Sequence, residues 1–498
     1  MPMRIVLAGY NIDAELVAEA AARGLDPRAL TPETISAAYA RISRNPAPVD
    51  ELRGQARQEV AKARASNEQI VFEMGHASVA EHAVLNFDVM GVSRLAIEAI
   101  EQFRLCSYTE KSQRYITLQD DVVLPEEIAE AGLEERFRHL VAQQSRTYHL
   151  LYEKLREHVF TGEPAGRTGA SCAPGGPVAD KVRARALEGL AKEDARYVTP
   201  LAVEGQLGLT LNARNLELMV RRLAAHPLRE VRGVAAALVE QARRVIPSLL
   251  RRTDEPRSEG RELARLTATL LDAEGEQTLP GDTGAVQLVG SAVDGDVRVV
   301  AALLHGASTQ PWLACQERAQ SLSVEERADV IRAALRAAGP HDAPPRALEL
   351  VALSFDLVLS ASCFAQLKRH RMATLVPQRY QPELGCTMPD AISRVGLTQE
   401  FQRVMVESTR LHDAIAARAP HAAPYALTQA HRRRVLLQMS ARELYHFSRL
   451  RQDHHAQWDI RALADRMLHL ARQELPLTLM LACGKDRFDE MRRELFDD

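Results

Sequence analysis

Residues 85–104, LNFDVMGVSRLAIEAIEQFR, and residues 353–371, LSFDLVLSASCFAQLKRHR, are two renderings of one pattern. Each runs from a short β-branched and aromatic segment into helical apolar spacing and closes on an arginine, Arg104 or Arg371. Further matches lie on both sides. Upstream, RIVLAGYNIDAELVAEAA from Arg4 answers VQLVGSAVDGDVRVVAAL from Val286, a strand followed by a helix in each case. Downstream, Gln113-Arg114-Tyr115 answers Gln378-Arg379-Tyr380, and NARNLELMVRRL from Asn212 answers SARELYHFSRLR from Ser440. Four matched segments in the same order predict a tandem duplication.

Size and composition agree with two domains. The chain has 498 residues, 46% of them hydrophobic, which is more than one ordinary core accommodates. We place a first domain at 1–255, a linker at 256–284 and a second domain at 285–498. A Gly/Pro-rich insertion at about 161–180 reads as a mobile surface loop. Strands are expected at 4–7, 84–89, 287–289 and 353–359. A net charge of −3 gives no general affinity for nucleic acid, so any basic site must be local. Six dispersed cysteines without a CxxC pair exclude a disulfide scaffold and a zinc knuckle. The apolar stretches are too short to cross a bilayer, and the start reads as strand and turn rather than signal peptide, so a cytoplasmic protein is expected.

Four places look chemical. Gln366-Leu-Lys-Arg-His-Arg371 gathers cations at the end of an apolar helix; the dipole alone favours them there, but guanidinium forks also match phosphate geometry. Glu110, Ser112 and Arg114 alternate in an extended strip and so share one side, where Ser112 and Arg114 would hold a phosphate and Glu110 a polar ring edge. A solvated turn is the plainer alternative. Gly75-His-Ala-Ser-Val-Ala-Glu-His82 contains two histidines, but their spacing of six is not the i, i+4 spacing of a helical zinc pair, and no metal is expected. On the helix from Arg442, the residues Arg442, His446 and Arg449 share one face, with Arg451 and His455 on the other.

Together these segments resemble the flavin-dependent thymidylate synthases, the ThyX family. The first copy carries Gly75-His76, Ser78 and Glu81-His82, then Gly91-Val92-Ser93-Arg94, then Glu110, Ser112, Arg114 and Tyr115, then Arg196 and Asn212-Ala-Arg214. The second keeps Gln366, Arg369-His370-Arg371, Ser440-Ala-Arg442, His446, Arg451, Ala456-Gln457 and Arg461. The resemblance implies an α+β fold: two tandem ThyX-like domains, each a twisted, mainly antiparallel sheet wrapped by helices, forming a pseudo-dimer. It also implies FAD as cofactor, NADPH and methylenetetrahydrofolate as co-substrates and dUMP as substrate. A homodimer of the fused chain would match the family's tetramer.

Neither copy has a full set of the family's residues. Gln102-Phe103-Arg104 stands where the first copy should have RHR, the second copy lacks the Glu and Ser of the strip, and Pro424 stands opposite Arg196. The losses are complementary, which points to one site drawn from both halves. The resemblance then assigns Arg369, His370, Arg371 and Ser112 to catalysis. It assigns Glu110, Ser112, Arg114, Arg196, Gln366 and Arg451 to dUMP, and His82, Arg369, His370, Arg371, Arg442 and His446 to FAD. Two other readings stay open at this point: a related flavin-dependent enzyme acting on pyrimidine nucleotides, and a non-catalytic nucleotide- or flavin-binding regulator.

Overall fold

A computed structural model describes residues 2–23, 31–42, 45–112, 121–161, 177–254 and 285–496, with isolated positions between 254 and 285. Two antiparallel four-stranded sheets repeat one topology. The first has strands β1 (Arg4–Tyr10), β2 (Val84–Ser93), β3 (Ser107–Glu110) and β4 (Glu204–Asn212), in the order β1-β2-β4-β3. The second has β5 (Val286–Ser291), β6 (Ala352–Ser360), β7 (Thr374–Tyr380) and β8 (Arg432–Ser440), in the order β5-β6-β8-β7. The four expected strands are present and longer than read. The remaining four, including the inner strands β4 and β8, come in addition.

Alternation sets which face is covered. Leu85, Phe87 and Val89 of β2 lie beside Leu207, Leu209 and Leu211 of β4 in one core. Leu353, Phe355 and Leu357 of β6 do the same with Val435, Leu437 and Met439 of β8. The first copy is one residue longer because β2 shifts register between Met90 and Val92, at a bulge where Gly91 takes φ 66°. β2 then enters helix α1 (Arg94–Ile100), and β6 enters its counterpart, which we call α3 (Ala361–Leu367) after the long α2 (Glu134–Thr161). Ser93 and Ser360 cap the two helices, accepting from Ala96 and Cys363 backbone N–H groups at 3.0 Å each. Both helices stop before the residues expected at their ends, so Gln102–Arg104 and Arg369–Arg371 sit in the turns that follow. The inferred insertion is also narrower than read: Thr161 still belongs to α2, and a helix runs from Pro177 to Ala195. Residues 162–176 lie outside the described ones.

A pseudo-twofold axis relates the halves. Pro200 bridges Thr428, its counterpart in the repeat. Around them Leu201 N donates to Leu427 O at 2.8 Å and Gln429 N donates to Thr199 O at 3.0 Å, a reciprocal pair. Two further contacts mirror each other. The Ser93 hydroxyl donates to Glu230, which also accepts from Tyr425 OH of the other half, both at 2.6 Å. The Ser360 hydroxyl donates to Asp459 at 2.6 Å, and Asp459 accepts from Tyr197 OH at 2.8 Å. Burial raises the pKa of both carboxyls, with the hydroxyls opposing the shift. Glu101 and Lys368, again at equivalent positions, meet each other at 2.8 Å with both side chains about 95% buried. A residue that touches its own counterpart lies on the axis. A shared apolar cluster, including Tyr148 and Leu151 of α2 with Phe401 and Val404 of the helix Thr398–Ala416, closes the halves into one body.

Candidate active site

The turn after α3 sends Arg369 and Arg371 toward Glu110 and Tyr108 of the first half, while His370 between them turns back into the second. Arg369 Nη2 reaches Glu110 Oε2 at 3.1 Å, and the other oxygen of Glu110 accepts from Arg94 at 2.5 Å. Glu110 is almost fully buried. Burial would raise its pKa, but Arg94, Lys368 and Arg369 outweigh that and hold it down to about 2. The expected reading of Glu110 as a ring-edge partner thus meets a carboxylate with both oxygens already in ion pairs. Ser112 follows it by two residues, half-buried, after Lys111 N extends the β3 pairing by donating to Gln206 O at 2.9 Å. Arg114 lies outside the described residues.

His370 is buried beneath this layer. Arg451 Nε–H donates to His370 Nε2 at 2.9 Å, and Arg451 Nη2 donates to Gln366 O at 3.2 Å. An accepting Nε2 leaves the proton of a neutral imidazole on Nδ1, which faces Glu443 at 3.4 Å. Burial, then Arg451 and His446, push the pKa of His370 well below the usual histidine range, consistent with the neutral form. Burial pushes the Glu443 carboxyl up, against His446 and Arg442. His370, Glu443 and His446 come close enough together to suggest a cation site. With Nε2 accepting from Arg451 and Nδ1 protonated, however, His370 has no lone pair to offer one.

The network continues through Gln366. Gln366 Nε2 donates to Gln457 Oε1 at 3.0 Å, and Gln457 donates to Tyr197 OH at 2.5 Å. Beside Tyr197, Arg196 is buried and donates to Ser362 Oγ on α3 at 2.7 Å. Trp458, which opens the helix Trp458–Glu474, donates its indole N–H to Asp194 at 2.8 Å. A first-half arginine and a second-half helix are therefore held in one frame.

Two connected cavities open here. One of about 400 Å³ lies between the halves and is lined by Arg104, Ser107 and Thr210 on one side and by Arg369, Arg371 and His446 on the other. The other, about 470 Å³, continues along the second half past Arg442 and Arg449, and the two share Met372, Glu443 and His446. Arg371 stands over the Tyr108 ring at 5.9 Å, and Arg104 donates to Thr374 Oγ1 at 3.0 Å. Arg442 and His446 lie on α4 (Ala441–Arg451), where Arg442 is steadied by Pro344 O at 2.8 Å and Glu349 at 2.9 Å. His455 falls beyond the end of α4, pairs with Asp453 and takes no part in a second helix face. His82 stands elsewhere, edge-on to Tyr39 with ring centroids 4.7 Å apart, next to the Glu81–Arg214 ion pair.

Reading the sequence alone passed over Arg94, Arg104 and Glu443. Arg94 was visible as the arginine of GVSR but had no assigned partner. Glu443 stands three residues before His446, one helical turn, and that spacing was the available signal.

The comparisons with known proteins follow the same division. The family described as thymidylate synthase complementing protein matches residues 28–248 and again residues 288–477. A flavin-dependent thymidylate synthase of Geobacter sulfurreducens is 30% identical over 223 residues, covering 42% of this chain and 82% of its own length. A Chlamydia muridarum protein called UPF0159 is 23% identical over 412 residues, covering 79% of this chain and 75% of its own. Among solved structures, a UMP/dUMP methylase of Streptomyces cacaoi bound with 5-Br dUMP aligns at 15% identity and TM-score 0.34, over 51% of this chain and 96% of its own. With two matches that together span most of its length, and two sheets of one topology, the chain belongs to the thymidylate synthase complementing protein family, the flavin-dependent thymidylate synthases, and carries the family's domain twice.

Proposed function

We propose that this chain makes dTMP from dUMP, using methylenetetrahydrofolate as carbon donor and FAD recharged by NADPH, in the cleft between its halves. The observation that supports this most is the Arg369–Glu110 ion pair at 3.1 Å, which joins the second copy's RHR to the first copy's ExS strip. Either copy alone has only half of the family's set.

The cleft suits a flavin dinucleotide and a nucleotide monophosphate. Its two adjoining cavities hold about 470 and 400 Å³, and guanidinium groups border both. In our reading Arg369, Arg371, Arg442 and His446 hold the cofactor, with His370 behind them. Arg451, Arg196, Gln366, Ser112 and Arg114 hold dUMP. Bound there, reduced FAD supplies the hydride. The protein's part is electrostatic: fixed cations offset the repulsion among pyrophosphate, monophosphate and reduced flavin, and favour charge that develops during transfer. Glu110 acts by fixing Arg369, and Arg94 in turn fixes Glu110. Neutral His370 orients Arg451 and does not donate from Nε2. His82 would contribute only through a ligand long enough to reach the Tyr39 edge.

Two copies of the chain pair, in this reading, through outer sheet faces such as the one that exposes Val376 beside Leu436. The test is purified chain with FAD added: it should be yellow, bleach with NADPH, and release tritium from C5-labelled dUMP when methylenetetrahydrofolate is present. Bleaching without tritium release would instead point to another flavin-dependent reaction, and colourless protein indifferent to FAD would remove the enzymatic reading.

A further inference from the structure

We infer that the chain binds one nucleotide and not two, because the cleft related to the proposed site by the pseudo-twofold has lost its anion-binding groups and gained a carboxylate. This rests on the reading of the first cleft as a dUMP site. The repeat gives each residue of that site a counterpart. Arg369 is matched by Gln102, His370 by Phe103, Gln366 by Ala99, Arg451 by Leu223 and Arg196 by Pro424. Each replacement removes a charge or a hydrogen-bonding group.

One replacement runs the other way. Glu98 occupies the position matched by Ala365, and it brings a carboxylate into the second cleft. It is 6% exposed, accepts from Tyr380 OH at 2.8 Å and pairs with Arg433 at 3.1 Å. Arg433 is occupied on every side. Its Nε donates to Gln378 O at 2.8 Å, and its guanidinium lies 4.6 Å from the Phe364 ring centre and 4.4 Å from that of Tyr380. What remains is a cavity of about 180 Å³ beside Pro377 and Pro424, adjoined by one of about 260 Å³ that shares Glu98, Gln102, Phe364 and Pro377 with it, so the Glu98 carboxylate stands in the wall of both. The arginines of the smaller cavity are Arg433, already engaged, and Arg379, which is exposed and contacts His421 at 3.2 Å. The Glu98 carboxylate opposes an anionic ligand, and the arginine that could offset it is already engaged by Glu98, Gln378 and the two rings.

The test is calorimetric titration of dUMP into the full-length chain with FAD present. Saturation at one dUMP per chain is expected. Arg379→Ala, in the second cleft, should leave both affinity and stoichiometry unchanged, while Arg369→Ala should weaken binding at least ~10-fold through loss of a charged contact. Two nucleotides per chain, or a loss on Arg379→Ala equal to that on Arg369→Ala, would overturn the inference and leave the proposed function standing. Folded protein that binds no dUMP at all would overturn both.

Discussion

Replacing Glu101 with lysine would set two ammonium groups against each other on the pseudo-twofold axis, where Lys368 Nζ now lies 2.8 Å from the carboxylate. Both side chains are about 95% buried, so solvent screens little of the interaction. At that separation Coulomb's law with an effective dielectric of about 20 gives an attraction of roughly 6 kcal/mol before desolvation is counted. Breaking a buried pair by removing one partner typically costs ~3–5 kcal/mol, and reversing the charge should cost at least that. Lys368→Glu should be no milder, since Lys368 also faces Glu110. The swapped double variant restores opposite charges on the axis but leaves Glu110 with a like neighbour, so recovery is partial. Chemical denaturation of the full-length wild type, both single variants and the swap closes a double-mutant cycle. A coupling energy of at least ~2 kcal/mol in favour of the swap is expected. Single variants that cost under ~1 kcal/mol each, or a swap that merely adds their costs, would show that opposite charge on the axis is immaterial to how the halves pair. The result bears on the duplication itself. Two identical copies would place like charges together at this point, so opposite charges are open only to a chain whose halves have diverged.

Other predictions concern the site. Glu110 is held down to about 2 against an ordinary 4.5, so it stabilises the folded chain fully above about pH 4.5 and loses that contribution as pH falls toward 2. The shift corresponds to something on the order of 3 kcal/mol, so Glu110→Gln should be destabilised at neutral pH and show a flatter acid unfolding profile; an unchanged profile would contradict the clamp. Ser362→Ala removes the hydroxyl that accepts from Arg196 at 2.7 Å, and should raise the KM for dUMP by ~3- to 10-fold with a smaller change in kcat. A drop in kcat alone would argue against Arg196 as a nucleotide ligand. His370→Phe, the residue of the first copy, should fold yet weaken FAD or dUMP binding because Arg451 loses its acceptor at 2.9 Å; unchanged binding would release His370 from that role.

Much of the fold was legible because the duplication repeats its own evidence. The starts of β1, β2, β5 and β6 carry β-branched and aromatic residues, and each is followed by a helical pattern. The inner strands β4 and β8 were hidden for local reasons. β4 includes Gly205 and Gly208, and β8 opens with Arg432, Arg433 and Arg434, so apolar alternation shows only in its second part. The candidate site reads in the sequence as two incomplete motifs with complementary gaps. Its wiring does not. Glu110 meets Arg94 sixteen positions away and Arg369 259 positions away, and no local pattern links them. The neutrality of His370 depends on burial and on Arg451, both properties of packing rather than of the hexamer in which it stands.

Whether residues of both halves serve one cleft is decided by tritium release from C5-labelled dUMP, measured for Arg369→Ala in one half and Ser112→Ala in the other, each in the full-length chain with FAD, NADPH and methylenetetrahydrofolate supplied. Both variants should fall by ~100-fold or more while remaining folded, as expected when preorganised charge or hydrogen bonding at a reacting centre is lost. Turnover near the wild-type rate in either variant would contradict a shared site.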